Sequence, residues 1–248
     1  MNDVFARLIL QHAQIKCPDS RTGRPRSIND ERALFYMFRI LRCGMPWREL
    51  ECNVCYTTIL RRMHKWGKLG IFQDAYKATI RTYKKLIPTK YYCVDSCYVK
   101  NAYSSTCVGR NHTDRGRKAM KVSMITDHLG IPNGMCCHPG NRPDVVLLED
   151  SLKSSLENLQ GMCLFADRGY DSKNNRRICH EYGLHDRIFR KRTKSTKRSN
   201  AKRICVEHTF AWMKMYRRLR CMYEHTPEQF ISFLYMAFGH IIWTRTSE

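Results

Sequence analysis

KYYCVDSCYVK at residues 90–100 is a run of aromatic and β-branched residues with an acid, Asp95, at its centre. Alternation on a strand puts Cys93, Asp95 and Cys97 on one face and Val94 and Ser96 on the other. A carboxylate in the middle of an apolar strand is costly to bury unless something offsets its charge. Two further β-runs follow, KAMKVSMITD (118–127) and GIPNGMCCHP (130–139). The turn-like Asp127-His128-Leu129-Gly130 joins them, as in a hairpin. RPDVVLLEDSLKSSLENL (142–159) has helical apolar spacing at 145, 148, 152, 156 and 159. GMCLFADRGYD holds a short strand ending at Asp167, NNRRICHEYGL reads as a helix and DRIFRK as a strand. A long helix over NAKRICVEHTFAWMKMYRRLRCMY and a terminal one over PEQFISFLYMAFGHIIWTR complete the series. Three strands followed by strands alternating with helices predict a mixed sheet flanked by helices.

Upstream, residues 1–88 are expected to form a separate helical module and residues 89–248 the sheet-bearing domain. Asn29 or Asp30 caps a helix running through ERALFYMFRILRCG and stopping at Gly44. MPWRELECN reads as a short helix, and CYTTILRRMHKWGKLGIF as another that Thr57 or Thr58 can cap. The last helix turns Ile59, Leu60, Met63 and Trp66 inward and Arg61, Arg62 and Lys65 outward. Two short helices around a tight connection, the second one basic, resemble a helix-turn-helix, which makes Arg61, Arg62 and Lys65 candidate DNA contacts.

Charge points the same way. The 248 residues hold 44 Lys and Arg against 22 Asp and Glu, a formal net charge of +22. Such an excess repels itself and is best tolerated beside a polyanion. No apolar run is long enough to span a bilayer, and MNDVFARLILQHAQIKC lacks the order of a signal peptide. The expectation is an intracellular protein, in a prokaryotic cytoplasm or a nucleus. Thirteen cysteines form an odd set without secretory context, so free thiols are expected. Finger-like spacings (Cys205-x2-His208, Cys221-x3-His225) would lie too far apart on one helix to share a zinc ion.

Three acids stand where this order brings chemistry together: Asp95 mid-strand, Asp167 at the carboxyl end of a strand opening into a glycine-containing loop, and Glu207 early in the long helix. At about 100° per residue, Arg203, Glu207, Ala211, Lys214, Arg218 and Cys221 share one stripe between apolar flanks. Carboxylates so placed suit phosphodiester chemistry, in which two Mg²⁺ ions roughly 3.5–4 Å apart stabilise the attacking and leaving oxygens. Arg203 and Lys214 would neutralise DNA phosphates beside them.

These residues resemble the insertion-sequence DDE transposases, specifically the insertion sequence five-like group, whose acids sit in VDS or VDG, DRGYDS or DKGYDS, and VEHxFAWxK motifs. Here they read VDS at 94–96, DRGYDS at 167–172 and VEHTFAWMK at 206–214. The family's Tyr-x2-Arg-x3-Glu-x6-Lys signature is matched by Arg203, Glu207 and Lys214. Asn200 replaces the tyrosine, which bears on that residue's strand contact rather than on the metal site. RPRSINDERALFYMFRILRCGMPWREL is similar to the family's N-terminal helical domain. The resemblance implies a ribonuclease-H-like core and Asp95, Asp167 and Glu207 as catalytic metal ligands for Mg²⁺ or Mn²⁺. It also implies cut-and-paste movement of an element with terminal inverted repeats, carried out by a homodimer on paired ends. A domesticated DNA-binding descendant and a nuclease of the same fold without strand transfer are the alternatives.

The connection into the glutamate helix is RKRTKSTKRSNAKR (190–203), too short for an insertion domain, with eight of its fourteen positions Lys or Arg. Arg190, Lys191, Arg192, Lys194, Lys197 and Arg198 are thus candidate phosphate contacts, and a nuclear-localisation signal is the rival reading. Each phosphate contact releases counterions, so Ala at Lys194, Lys197 and Arg198 together is expected to flatten the salt dependence of DNA affinity. An unchanged slope in a salt titration of binding would rule the segment out as a phosphate clamp.

Overall fold

The computed structural model describes residues 4–18, 25–190 and 197–246. They divide into two compact units, one of Met1–Leu86 with Met213–Glu248 and one of Ile87–Trp212. The first opens with helices α1 (Val4–Lys16), α2 (Asp30–Cys43), α3 (Tyr56–Lys68) and α4 (Ile71–Leu86). The ends of α2 follow from their residues. The Asn29 side chain accepts the Arg32 N–H at 2.8 Å, and Gly44 closes the helix at φ +68°, a region that favours glycine.

Two helical expectations change here. MPWRELECN forms only a single 3-10 turn, Trp47–Glu49, because Leu50 then runs extended to bury its side chain. The next helix starts directly after Cys55, with Thr57 and Thr58 already inside it. One turn and one helix therefore stand where a tight pair of helices was expected.

The second unit is built on a mixed sheet. Its strands are β1 (Tyr92–Asn101), the two-residue β2 (Gly109–Arg110), β3 (Lys118–Asp127), β4 (Pro132–Pro139), β5 (Cys163–Ala166) and β6 (His185–Ile188). Between them lie α5 (Leu148–Lys153) and α6 (Lys173–Glu181), and α7 (Lys197–Met215) follows β6. β3 pairs antiparallel with β4 and β1, whereas β1, β5 and β6 are parallel. The order β4-β3-β1-β5-β6 is ribonuclease-H-like. The hairpin turn falls at Asp127, whose carboxylate accepts the Leu129 and Ile131 N–H groups at 2.9 Å each. One sheet face packs Val94, Ile125 and Leu164 against Leu148 and Leu152 of α5 and Ile178 of α6.

The expected helix over 142–159 is shorter, a 3-10 turn at Asp144–Val146 and then α5. Asn133 explains the loss: its side chain accepts the Glu157 N–H and donates to the Glu157 carbonyl, at 3.1 and 3.2 Å. Those bonds hold 157 in irregular backbone and forbid another helical turn. Likewise α7 ends at Met215 rather than running to 223, so the expected stripe loses Arg218 and Cys221. Among the described residues no helix is long and apolar enough to cross a membrane, and all thirteen cysteines are free thiols.

Residues 213–248 belong with the N-terminal helices, although the sequence reading placed them with the sheet. The reason is α8 (Pro227–Thr246), which buries Phe230, Phe233, Leu234, Met236, Ala237, Phe238 and Ile242 and is apolar around its circumference. Such a helix must be surrounded. Trp47 stacks on Phe233, Tyr76 meets Tyr235, and Phe5 presses on Gly239 so closely that no side chain fits there. Just before α8, Arg218 and Glu224 form a buried ion pair at 2.7 Å, and Arg218 also donates to the Met45 carbonyl at 3.2 Å. Removing one member strands the other's charge, so Arg218→Ala is expected to cost about 3–5 kcal/mol in urea unfolding. Arg218→Ala at wild-type stability would show that the pair bears no such cost.

Candidate active site

β1 is flanked unequally by its neighbours. Pairing with β3 continues to Lys100, but pairing with β5 covers only Tyr92–Leu164 and Cys93–Phe165. Asp95 and Asp167 each lie two residues beyond the last paired positions, Cys93 and Phe165. The period of two therefore brings both acids to corresponding places on neighbouring parallel strands. The Ser96 N–H donates to Asp95 Oδ1 at 2.7 Å, and Arg203 of α7 donates to Asp95 Oδ2 at 2.9 Å. Burial pushes the Asp95 carboxyl up to about 6, and the charge of Asp167 acts the same way. Arg203 and the Ser96 N–H oppose this without cancelling it.

The loop after β5 gives nearly every residue of DRGYDS a task. The Asp167 carboxylate accepts the Gly169 N–H at 2.8 Å and caps a short 3-10 turn. Tyr170 is wholly buried, and burial raises its phenol pKa well above the usual value, with Asp95, Asp144 and Asp167 all adding to the rise. Asp171 takes Arg176 at 2.8 Å, and the Ser172 hydroxyl accepts the Asn175 N–H at 3.0 Å to start α6. Asn175 in turn donates to the carbonyls of Tyr170 and Val145, at 2.8 and 2.9 Å. The turn at 144–146 is thereby tied to the Asp167 loop.

Glu207 stands one turn after Arg203 on α7, exposed, on the same side of the helix. Among the described residues no three His, Cys, Asp or Glu side chains are gathered closely enough to hold one metal ion. Asp95 and Asp167 are thus brought together, and Glu207 is not gathered with them. The two aspartates fit a divalent cation, since the Asp95 carboxylate is partly buried, faces a second carboxylate and keeps a raised pKa even beside Arg203. Hard oxygen donors of this kind, completed by water, are what Mg²⁺ takes.

The candidate DNA contacts belong to several elements. Arg61 and Lys65 are exposed on α3, but Arg62 turns inward to the Ile28 carbonyl at 2.8 Å and to Asp30 at 3.0 Å. It secures the start of α2. Lys214 is exposed in the last turn of α7, and exposed Arg190 follows β6. Lys191, Arg192 and Lys194 lie outside the described residues, as do the side chains of Lys197, Arg198 and Asn200. Sequence reading missed Asp144, whose carboxylate accepts the Ser96 hydroxyl at 2.6 Å and the Lys121 ammonium at 3.1 Å. A signal was present: an acid directly after Arg-Pro opens the 144–146 turn with no cap hydrogen bond of its own, so its carboxylate is left for partners elsewhere.

A family model described as "Transposase DDE domain" matches residues 78–239. The chain belongs to this DDE transposase family. A Burkholderia cepacia protein that carries the name of a transposase for insertion sequence element IS402 is 32% identical over 143 residues. That match spans 54% of this chain and 68% of the relative. The matched region of the DDE transposase holds both aspartates, the DRGYDS loop, Arg203 and Glu207. It marks the chain as an enzyme of the transposase and nuclease kind.

The raised Asp95 pKa has a stability signature. An acid that binds its proton more tightly when folded costs stability wherever it is ionised. The cost is absent below the unfolded value near 3.8, grows through about 6 and then levels off. Asp95→Asn removes the titration. In urea unfolding its stability relative to the parent should rise by roughly 2 kcal/mol from pH 4 to pH 7. A pH-independent difference would refute the burial cost.

Proposed function

We propose that this DDE transposase binds the ends of a mobile element and carries out metal-dependent DNA strand cleavage and strand transfer. The observation that carries the reading is the meeting of Asp95 and Asp167 on neighbouring parallel strands, with Asp95 incompletely neutralised. Asp95 and Asp167 hold the cation, and Glu207 supplies the third carboxylate from α7. When bound, Mg²⁺ or Mn²⁺ supplies Lewis-acid stabilisation of the charge that develops on the phosphodiester oxygens. A pair of such ions is the complement the three carboxylates are read to hold.

The remaining steps belong to the protein. Arg203 has a carboxylate partner that a DNA phosphate can replace, so it serves as the local phosphate clamp once Asp95 is otherwise neutralised. Lys214, Arg190 and the basic run through Arg198 extend the contact along the strand, and Arg61 and Lys65 of α3 add a second positive surface for the element end. Phosphate contacts of this kind fix position and register rather than sequence. Two protomers on paired ends are the working assembly.

A labelled fragment bearing an element end, incubated with Mg²⁺, distinguishes strand transfer from nicking alone. Asp95→Asn, Asp167→Asn and Glu207→Gln are each expected to lower cleavage by at least about 10³-fold, with DNA affinity changed little. Near-normal cleavage by any one variant would remove that residue from the catalytic set. Nicking without joined product would favour a nuclease, and binding without cleavage a domesticated descendant.

A further inference from the structure

Asp144 is a third carboxylate near the aspartate pair, and none of the matching motifs contains it. It lies on the side of β1 opposite Asp95, since Ser96, which it receives, points away from Asp95 on the strand. The Ser96 hydroxyl and the Lys121 ammonium both donate to Asp144 Oδ1. Oδ2 is turned toward the loop after β5. A Cβ on Gly169 would stand 3.2 Å from Asp144 Oδ2 and 3.0 Å from Asp167 Oδ1, so two carboxylate oxygens converge on one point that only a glycine leaves open.

Lys121 completes the arrangement. It is buried on β3, directly opposite Tyr98 in the register, with its ammonium 4.8 Å from the Tyr98 ring. It also donates to the Arg142 carbonyl at 2.9 Å. Burying an ammonium and a carboxylate together is no efficient route to stability, because desolvation consumes most of the attraction. What the pair does achieve is a carboxylate held in one place. From there Asp144 grips Ser96, and the Ser96 N–H is the group that holds Asp95 Oδ1.

We propose that Asp144 is a positioning residue of the aspartate centre, fixing Asp95 through Ser96 and setting Asp167 across Gly169. The inference rests on the metal-dependent reading of Asp95 and Asp167 above. Carboxylates that support metal ligands from behind are typically worth 10–100-fold in metal affinity or activity. Asp144→Asn keeps the size of the side chain and an acceptor for Ser96 but removes the charge that Lys121 and Asp167 meet. Ser96→Ala breaks the link to Asp95 alone.

The test is Mn²⁺ binding by calorimetric titration of the full chain without DNA, beside cleavage kinetics and thermal melting of the same samples. Asp144→Asn is expected to weaken Mn²⁺ binding and to lower kcat, each by about 10-fold or more, with KM for DNA and the melting temperature close to the parent's. Ser96→Ala should give a smaller loss of the same kind, and the double variant less than the product of the two, because they act along one chain of contacts. Parental Mn²⁺ affinity and kcat in Asp144→Asn would overturn the proposal. So would losses that appear only as the variant melts and vanish on cooling. A parent protein that neither binds Mn²⁺ nor cleaves DNA would instead strike down the metal-dependent reading, and the proposal with it.

Discussion

A carboxylate halfway along a buried strand is the constraint from which the catalytic unit is arranged. Asp95 is only partly open to solvent, so water alone does not offset its charge and its surroundings contribute. Arg203 reaches it from α7, the Ser96 N–H holds one oxygen, and β5 stops pairing two residues short of it. Each of these is a consequence of element length or placement rather than of one side chain. A different rotation of α7 would take Arg203 away from the charge.

The loop after β5 shows how little of such a centre is free to vary. Asp167 caps its own turn, Tyr170 anchors the turn in the core, and Ser172 begins α6. Asn175 then ties the loop to the 144–146 turn, which carries Asp144. The short motif is therefore a structural device first. Its acid is placed accurately because its neighbours are fully occupied.

The order of elements, the hairpin at Asp127 and the limits of α2 were legible because each depends on local pattern: alternation, a capping side chain, a glycine at positive φ. What was not legible depends on partners distant in sequence. Asn133 shortens the 142–159 helix by taking both main-chain groups of Glu157. Arg62 reads as an outward cation from its helix position, yet Asp30 and the Ile28 carbonyl draw it in. Asp144 was hidden for the same reason, since its meaning lies in Ser96, Lys121 and Gly169. Glu207 was singled out by its motif alone, and among the described residues it is not gathered with the aspartates.

The terminal helix α8 has a consequence for how the chain is made. Helices α1 to α4 leave the ribosome well before the apolar helix they enclose, which comes from residues 227–246. Their packing thus waits until the entire sheet-bearing unit has been synthesised. During that interval Phe5, Tyr76 and Trp47 lack the surface that covers them, which is a period of exposure to chaperones and to misassembly. The sheet-bearing unit, whose elements all lie in one uninterrupted stretch, has no such wait. Biogenesis is therefore asymmetric: the portion bearing the aspartates can mature as soon as it is made, and the helical portion only after α8 has followed it.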